Sequence, residues 1–174
     1  MNLSEFKNEI RIIFEKVIND VRGILGQHRA GLRLGLAEMG MNRGGFIGGT
    51  YFHPGTDMIM NTSPLRKILE SQQYEIVWAY TYHVLLGLYL KSLGIIDEHQ
   101  CKVMTLKVSK EIFKDANHPT VIMAVNGVGS FIQNLNITYI PPDRRPDGMP
   151  LPIEYITGFN EESQTYYSKL LNFR

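Results

Sequence analysis

The chain has a single cysteine, Cys101, among its 174 residues. One thiol excludes any intramolecular disulfide and any cysteine-built structural zinc site. Charge of one sign is also missing: 18 Lys and Arg stand against 17 Asp and Glu, a formal net charge of +1. A surface that tracks phosphates needs an excess of cations, so no nucleic-acid partner is expected. The local pair Arg144-Arg145 reads as part of a solvated loop. No run is long and apolar enough for a membrane, because Ile76 to Leu90 is interrupted by Thr81, Tyr82 and His83 and stops short of the ~20 residues a span needs. The opening MNLSEFKNEIRIIFEK places charges every few residues, as an amphipathic helix does and a signal peptide does not. A cytoplasmic location is therefore expected, and Asn61-Thr62-Ser63 and Asn136-Ile137-Thr138 are read as chance glycosylation matches.

What is present is material for a core. Hydrophobic residues make up 44% and charged residues 20%, a globular composition that suits one domain over 1–174. Leu3, Phe6, Ile10, Ile13, Phe14, Val17 and Val21 recur at helical steps, predicting a helix over 3–25. Asn2 with Glu5 has the form of a capping box, and Gly26 is a stop signal. GLRLGLAEM alternates Leu32, Leu34 and Leu36 with Arg33, Gly35 and Ala37, a strand pattern. GGFIGGTYF, the turn HPGTD and DMIMN follow, so 31–61 reads as a small sheet with at least one antiparallel hairpin. Thr62-Ser63-Pro64 predicts a helix start with proline at its first position. Tyr74 to Leu93 is apolar nearly all round and predicts a central helix ended by Gly94. Asp97 is a natural N-cap for a helix over 98–115, and His118-Pro119 opens another towards Asn134. A proline-rich loop covers 141–152, IEYITGF adds a strand, and NEESQTYYSKLLN a terminal helix. The fold class is α+β: mostly helical, with a small antiparallel or mixed sheet.

Residues 85 to 98, LLGLYLKSLGIIDE, carry the most specific spacing. In the zinc-protease frame H-E-x-x-H-x-x-G-x-x-[H/D], two imidazoles four apart share a helix face and the intervening Glu serves as base. The glycine then lets a third ligand swing back to the metal. Here Gly87 stands at the first His, Leu88 at the Glu, Lys91 at the second His, Gly94 at the glycine and Asp97 at the third ligand. Glycine and acid are retained. Both imidazoles and the base are replaced by groups that neither bind zinc nor accept a proton. Over about residues 1–115 the chain resembles the zincin-like metallopeptidase superfamily with a degenerate motif. The resemblance implies an edge strand beside the central helix, within 45–61, that pairs with extended peptide. It also implies a methionine turn, for which Met149 stands in the right part of the chain. Taken alone, Gly94 as a helix stop and Asp97 as a cap explain both retained positions.

Two functional readings follow. One is a non-catalytic zincin-like protein that binds a peptide or protein, or serves as a structural subunit. Its groove would hold Gly45, Gly48, Gly49, Tyr51, His53 and His83, with Lys91 offering its charge to Asp97 or to a ligand's acid. The other is a metal-dependent hydrolase with a rearranged site of His83, Asp97 and Glu98, with His53 available from the hairpin. A helical interaction or dimerisation module is a third, and a homo-oligomer is compatible with all three. No cofactor is expected. RGGFIGG and GVGS lack the phosphate-loop and dinucleotide patterns. Tyr74, Trp78, Tyr80, Tyr82 and Tyr89 read as core aromatics, and Cys101 as a structural thiol.

Overall fold

The computed structural model describes residues 1–41, 45–131 and 152–157. The predicted terminal helix, Met149 and nearly all of the proline-rich loop lie outside them. Helix α1 (Leu3–Leu25) opens on the capping box: the Asn2 side chain accepts from Glu5 N–H at 3.0 Å, and the Glu5 carboxylate accepts from Asn2 N–H at 2.9 Å. Gly26 closes it in the left-handed region, at φ 65°, where glycine carries no steric penalty. Its apolar stripe, from Leu3 to Val21, is buried.

Among the described residues four strands follow: β1 (Arg33–Ala37), β2 (Gly49–Tyr51), β3 (Asp57–Asn61) and, far along the chain, β4 (Glu154–Ile156). Their order is β2-β3-β1-β4. β2 and β3 form the predicted antiparallel hairpin, β1 runs parallel to β3, and β4 lies antiparallel to β1. The sheet is therefore mixed. Alternation in β1 predicts one buried face, yet Gly35 and Ala37 are buried as well as Leu34 and Leu36. The second face is covered: a Cβ on Gly35 would stand 2.5 Å from Ile153 Cγ2 and 3.4 Å from Tyr155. Asp57 does more than shape the hairpin turn. It pairs with both Arg33 Nε (2.7 Å) and Nη2 (2.8 Å) and accepts from the Tyr155 hydroxyl, linking β3, β1 and β4. The Arg33 guanidinium holds the Asp57 carboxyl below its usual range.

Helix α2 (Thr62–Ser71) is capped by Asn61, which accepts from Ser63 N–H, so Pro64 is its third residue rather than its first. The proline is tolerated there for the same reason, since the first four N–H groups of a helix have no partner within it. Helix α3 (Tyr74–Ser92) packs against α1, α2, β2, β3 and the two helices that follow it, α4 (Glu98–Phe113) and α5 (Pro119–Asn126). That central place explains its uniformly apolar surface. Two of its buried polar groups find partners inside the protein: Thr81 donates to Val77 O (2.8 Å) and Tyr82 to Asp20 (2.8 Å). The expected helix to Asn134 stops at Asn126, where Gly127 takes φ 83°. A short 3-10 turn, Val128–Ser130, follows, and 132–134 lie outside the described residues. Among the described residues no helix is long and apolar enough to cross a membrane.

Candidate functional site

Among the described residues, one face of α3 is left open between the sheet and helices α4 and α5. Tyr80, His83, Val84, Gly87, Leu88 and Lys91 lie on it and form one wall of a cleft of about 910 Å³. Segment 45–49 makes the second wall; α4, at Glu98, Cys101 and Thr105, and α5, at Met123, complete it. The 3.6-residue period brings His83, Gly87 and Lys91 into line along the helix. Positions 87, 88 and 91 of the degenerate frame thus share one cavity, with β2 at its rim.

Glycines decide how close the walls stand. A Cβ on Gly48 would fall 2.6 Å from Val84 Cγ2 and 3.4 Å from the Tyr80 hydroxyl. On Gly49 it would fall 2.5 Å from the backbone oxygen of Ile59 and 2.9 Å from Leu88. The hairpin therefore rests directly on α3. Gly87 is the opposite case, since a Cβ there would meet nothing within 4 Å. The cleft is open where the frame has its first imidazole.

The charged residues are arranged differently from the sequence expectation. Lys91 Nζ pairs with Glu98 Oε1 at 2.6 Å, not with Asp97. Asp97 is exposed, accepts from Gln100 N–H at 2.8 Å as the N-cap of α4, and lies off the cleft wall. Gly94, at φ 101°, follows the end of α3 and does not line the cleft. Neither Tyr51 nor His53 lines the cleft. Tyr51 turns inward to the Arg29 guanidinium (2.7 Å) and Gly55 O (2.8 Å), and His53 is exposed at the tip of the hairpin. Gly45, Gly48, Gly49 and His83 are the groove residues brought together. The rearranged metal set is not assembled: Asp97 is committed to its cap, and Glu98 to Lys91. Among the described residues no three His, Cys, Asp or Glu side chains form a group able to hold a metal ion.

Two contributors, Cys101 and Tyr80, are read from the sequence as structural only. Cys101 faces the cleft, its Sγ 3.6 Å from Gly87 O. Burial raises its thiol pKa, and the nearby Lys91 ammonium opposes that shift. Glu98, Cys101 and Thr105 follow a helical spacing, which places them on one face of α4 and is the signal that was available. Tyr80 is a core aromatic, as expected, but also part of the cleft floor, and its hydroxyl is buried with no protein partner. His83 Nδ1 is also buried and unpartnered. Burial pushes this imidazole down to about 4, so it is neutral at pH 7.

At the rim, β2 is an edge strand. Its register pairs Gly49 with Met60, Thr50 with Ile59 and Tyr51 with Met58, while Gly48 O accepts from Asn61 N–H and Phe52 N–H donates to Asp57 O. Alternation along an antiparallel ladder then directs the backbone N–H and C=O of Gly49 and Tyr51 away from β3. Among the described residues neither set has a backbone partner. No family model, no curated protein and no solved structure matches this chain.

Proposed function

We propose that the chain is a non-catalytic binding protein on a zincin-like scaffold, holding an extended peptide or protein segment by strand addition to β2. The observation that carries this reading is the outer edge of Gly49 and Tyr51, unpaired among the described residues, beside the cleft under segment 45–49. An added strand takes its affinity from such main-chain groups, and its side chains alternate between the cleft and solvent. The residues of the wall support the non-catalytic part of this reading. Gly87 offers no ligand, Leu88 no base, and Lys91 only an ammonium already paired with Glu98. Removing ligands and base together leaves nothing to activate a water by the usual zinc mechanism.

Lys91 gives the site its charge preference. Glu98 is 71% exposed as a side chain and Lys91 only 25%. A ligand carboxylate can therefore replace Glu98 at the ammonium while Glu98 returns to water.

The test is a selection of short random peptides on the full chain, followed by amide hydrogen exchange on the complexes. Selected peptides are expected to slow exchange at Gly49 and Tyr51 and to lose affinity with Lys91→Ala. Peptides that protect no amide of β2, or that bind Lys91→Ala unchanged while contacting another face, would refute strand addition at this cleft.

A further inference from the structure

Most buried polar side chains of α3 are answered inside the protein, yet two at the cleft are not. The Tyr80 hydroxyl and His83 Nδ1 are buried without a hydrogen-bond partner. The two other such groups, on Ser109 and Thr120, belong to α4 and α5 and line no part of the cleft. Native interiors pair nearly all their buried polar atoms, so exceptions gathered at a cavity point to something that completes them. Tyr80 and His83 are three apart on one helix and so share a face, one turn before the open position at Gly87. A Cβ on Gly48 would stand 3.4 Å from the tyrosine hydroxyl, so segment 45–49 borders that group.

We propose that Tyr80 and His83 form a subsite for a primary carboxamide, supplied by an Asn or Gln side chain of the segment bound along β2. The source of the carboxamide rests on the strand-addition reading; the subsite itself does not.

The chemistry of the floor selects the group. A neutral imidazole has one N–H and one lone pair, and a phenol has one O–H and an acceptor oxygen. A carboxamide matches both, because it carries an acceptor oxygen and two N–H donors on neighbouring atoms. A carboxylate carries no donor, so it cannot answer a ring nitrogen in its lone-pair form, and it would be desolvated against Val84 and Met123 with no cation beside it, since Lys91 is held by Glu98 two turns away from His83. An ammonium has no acceptor to give and would be desolvated against Val84 and Met123.

The experiment uses the full chain and three small probes: acetamide, acetate and methylammonium. Ring resonances of His83 are followed by NMR in the wild type and in Tyr80→Phe. Acetamide is expected to shift the His83 ring saturably, acetate and methylammonium to leave it unmoved, and Tyr80→Phe to weaken acetamide about fivefold. Removing an unpaired hydroxyl should also raise the melting temperature of the free protein, which separates ligand recognition from a structural role. No saturable shift with acetamide, an equal response to acetate, or a lower melting temperature for Tyr80→Phe (a hydroxyl already bonded, as to a resident water) each overturns the subsite. A second arm compares the capped tripeptides Val-Gln-Val and Val-Leu-Val. Tighter binding of the glutamine peptide supports the assigned source. Acetamide binding without that preference leaves the subsite standing and overturns the peptide as its source.

Discussion

Gly87 and Gly49 both line the cleft and answer a methyl group in opposite ways. At Gly87 the added Cβ meets nothing within 4 Å and the residue is interior to α3, so alanine removes backbone entropy from the unfolded chain at no steric cost. Gly87→Ala should stabilise the protein by about 0.5–1 kcal/mol in urea denaturation. Gly49→Ala should destabilise it by about 1–3 kcal/mol, because the obstacle, Ile59 O at 2.5 Å, is main chain and cannot rotate away. Equal effects at the two positions would contradict the packing of the hairpin on the helix. Local roles of this kind divide cleanly by legibility. Asp97 as an N-cap and Gly26 as a helix stop could be read from neighbours within a few positions, and both are found. The partner of Lys91 could not. Asp97 and Glu98 are adjacent, and only the orientation of α4 decides which carboxylate reaches the ammonium.

Between elements, the decisive contact is the hairpin held on α3. Arg29 makes it, donating to Tyr51 Oη on β2, to Ser92 O at the end of α3 (2.6 Å) and to Gly55 O in the turn. Lysine reproduces the charge but not the fork. Arg29→Lys should therefore cost about 1–3 kcal/mol and speed amide exchange in β2 before the rest of the sheet. Uniform exchange across all strands would show that Arg29 does not anchor this edge. The facing of α3 and α4 supports a second outcome. Gly87→His combined with Lys91→His would place two imidazoles one turn apart on the cleft wall, opposite Cys101 and a Glu98 freed from its partner. Such a His-His-Cys set suits a tetrahedral divalent ion. The double variant should bind Co²⁺ with a thiolate charge-transfer band that Cys101→Ser abolishes. A spectrum like the wild type's would mean that the wall does not have the geometry of the resembled frame. Helices were the legible elements, since their periodicity is local. The parallel pairing of β1 with β3 and the return of β4 to β1 join residues far apart in sequence, and no strand pattern encodes which edges meet.

Taken as a whole, the molecule keeps a neutral imidazole in its interior beside the cleft, and that gives its stability a pH dependence. His83 falls from 6.5 to about 4 on folding because burial disfavours the cation. Between these values the unfolded chain binds a proton that the folded chain refuses. The stabilisation is complete above pH 6.5 and is lost as pH falls towards 4, amounting to at most about 3 kcal/mol. His28 and His118 are also shifted down by burial and act in the same direction, but they are far less enclosed. Asp57, held low by Arg33, is lost only below its ordinary value of 3.8 and so falls outside this window. His83→Leu should therefore flatten most of the stability change between pH 7 and 4.5, measured by urea denaturation at each pH. A variant that loses stability with acid as steeply as the wild type would mean that His83 is already protonated or solvated in the folded chain. The lone histidine in an apolar helix is visible in the sequence. What the sequence could not carry is that Nδ1 has no partner, because that depends on every element packed around α3 at once.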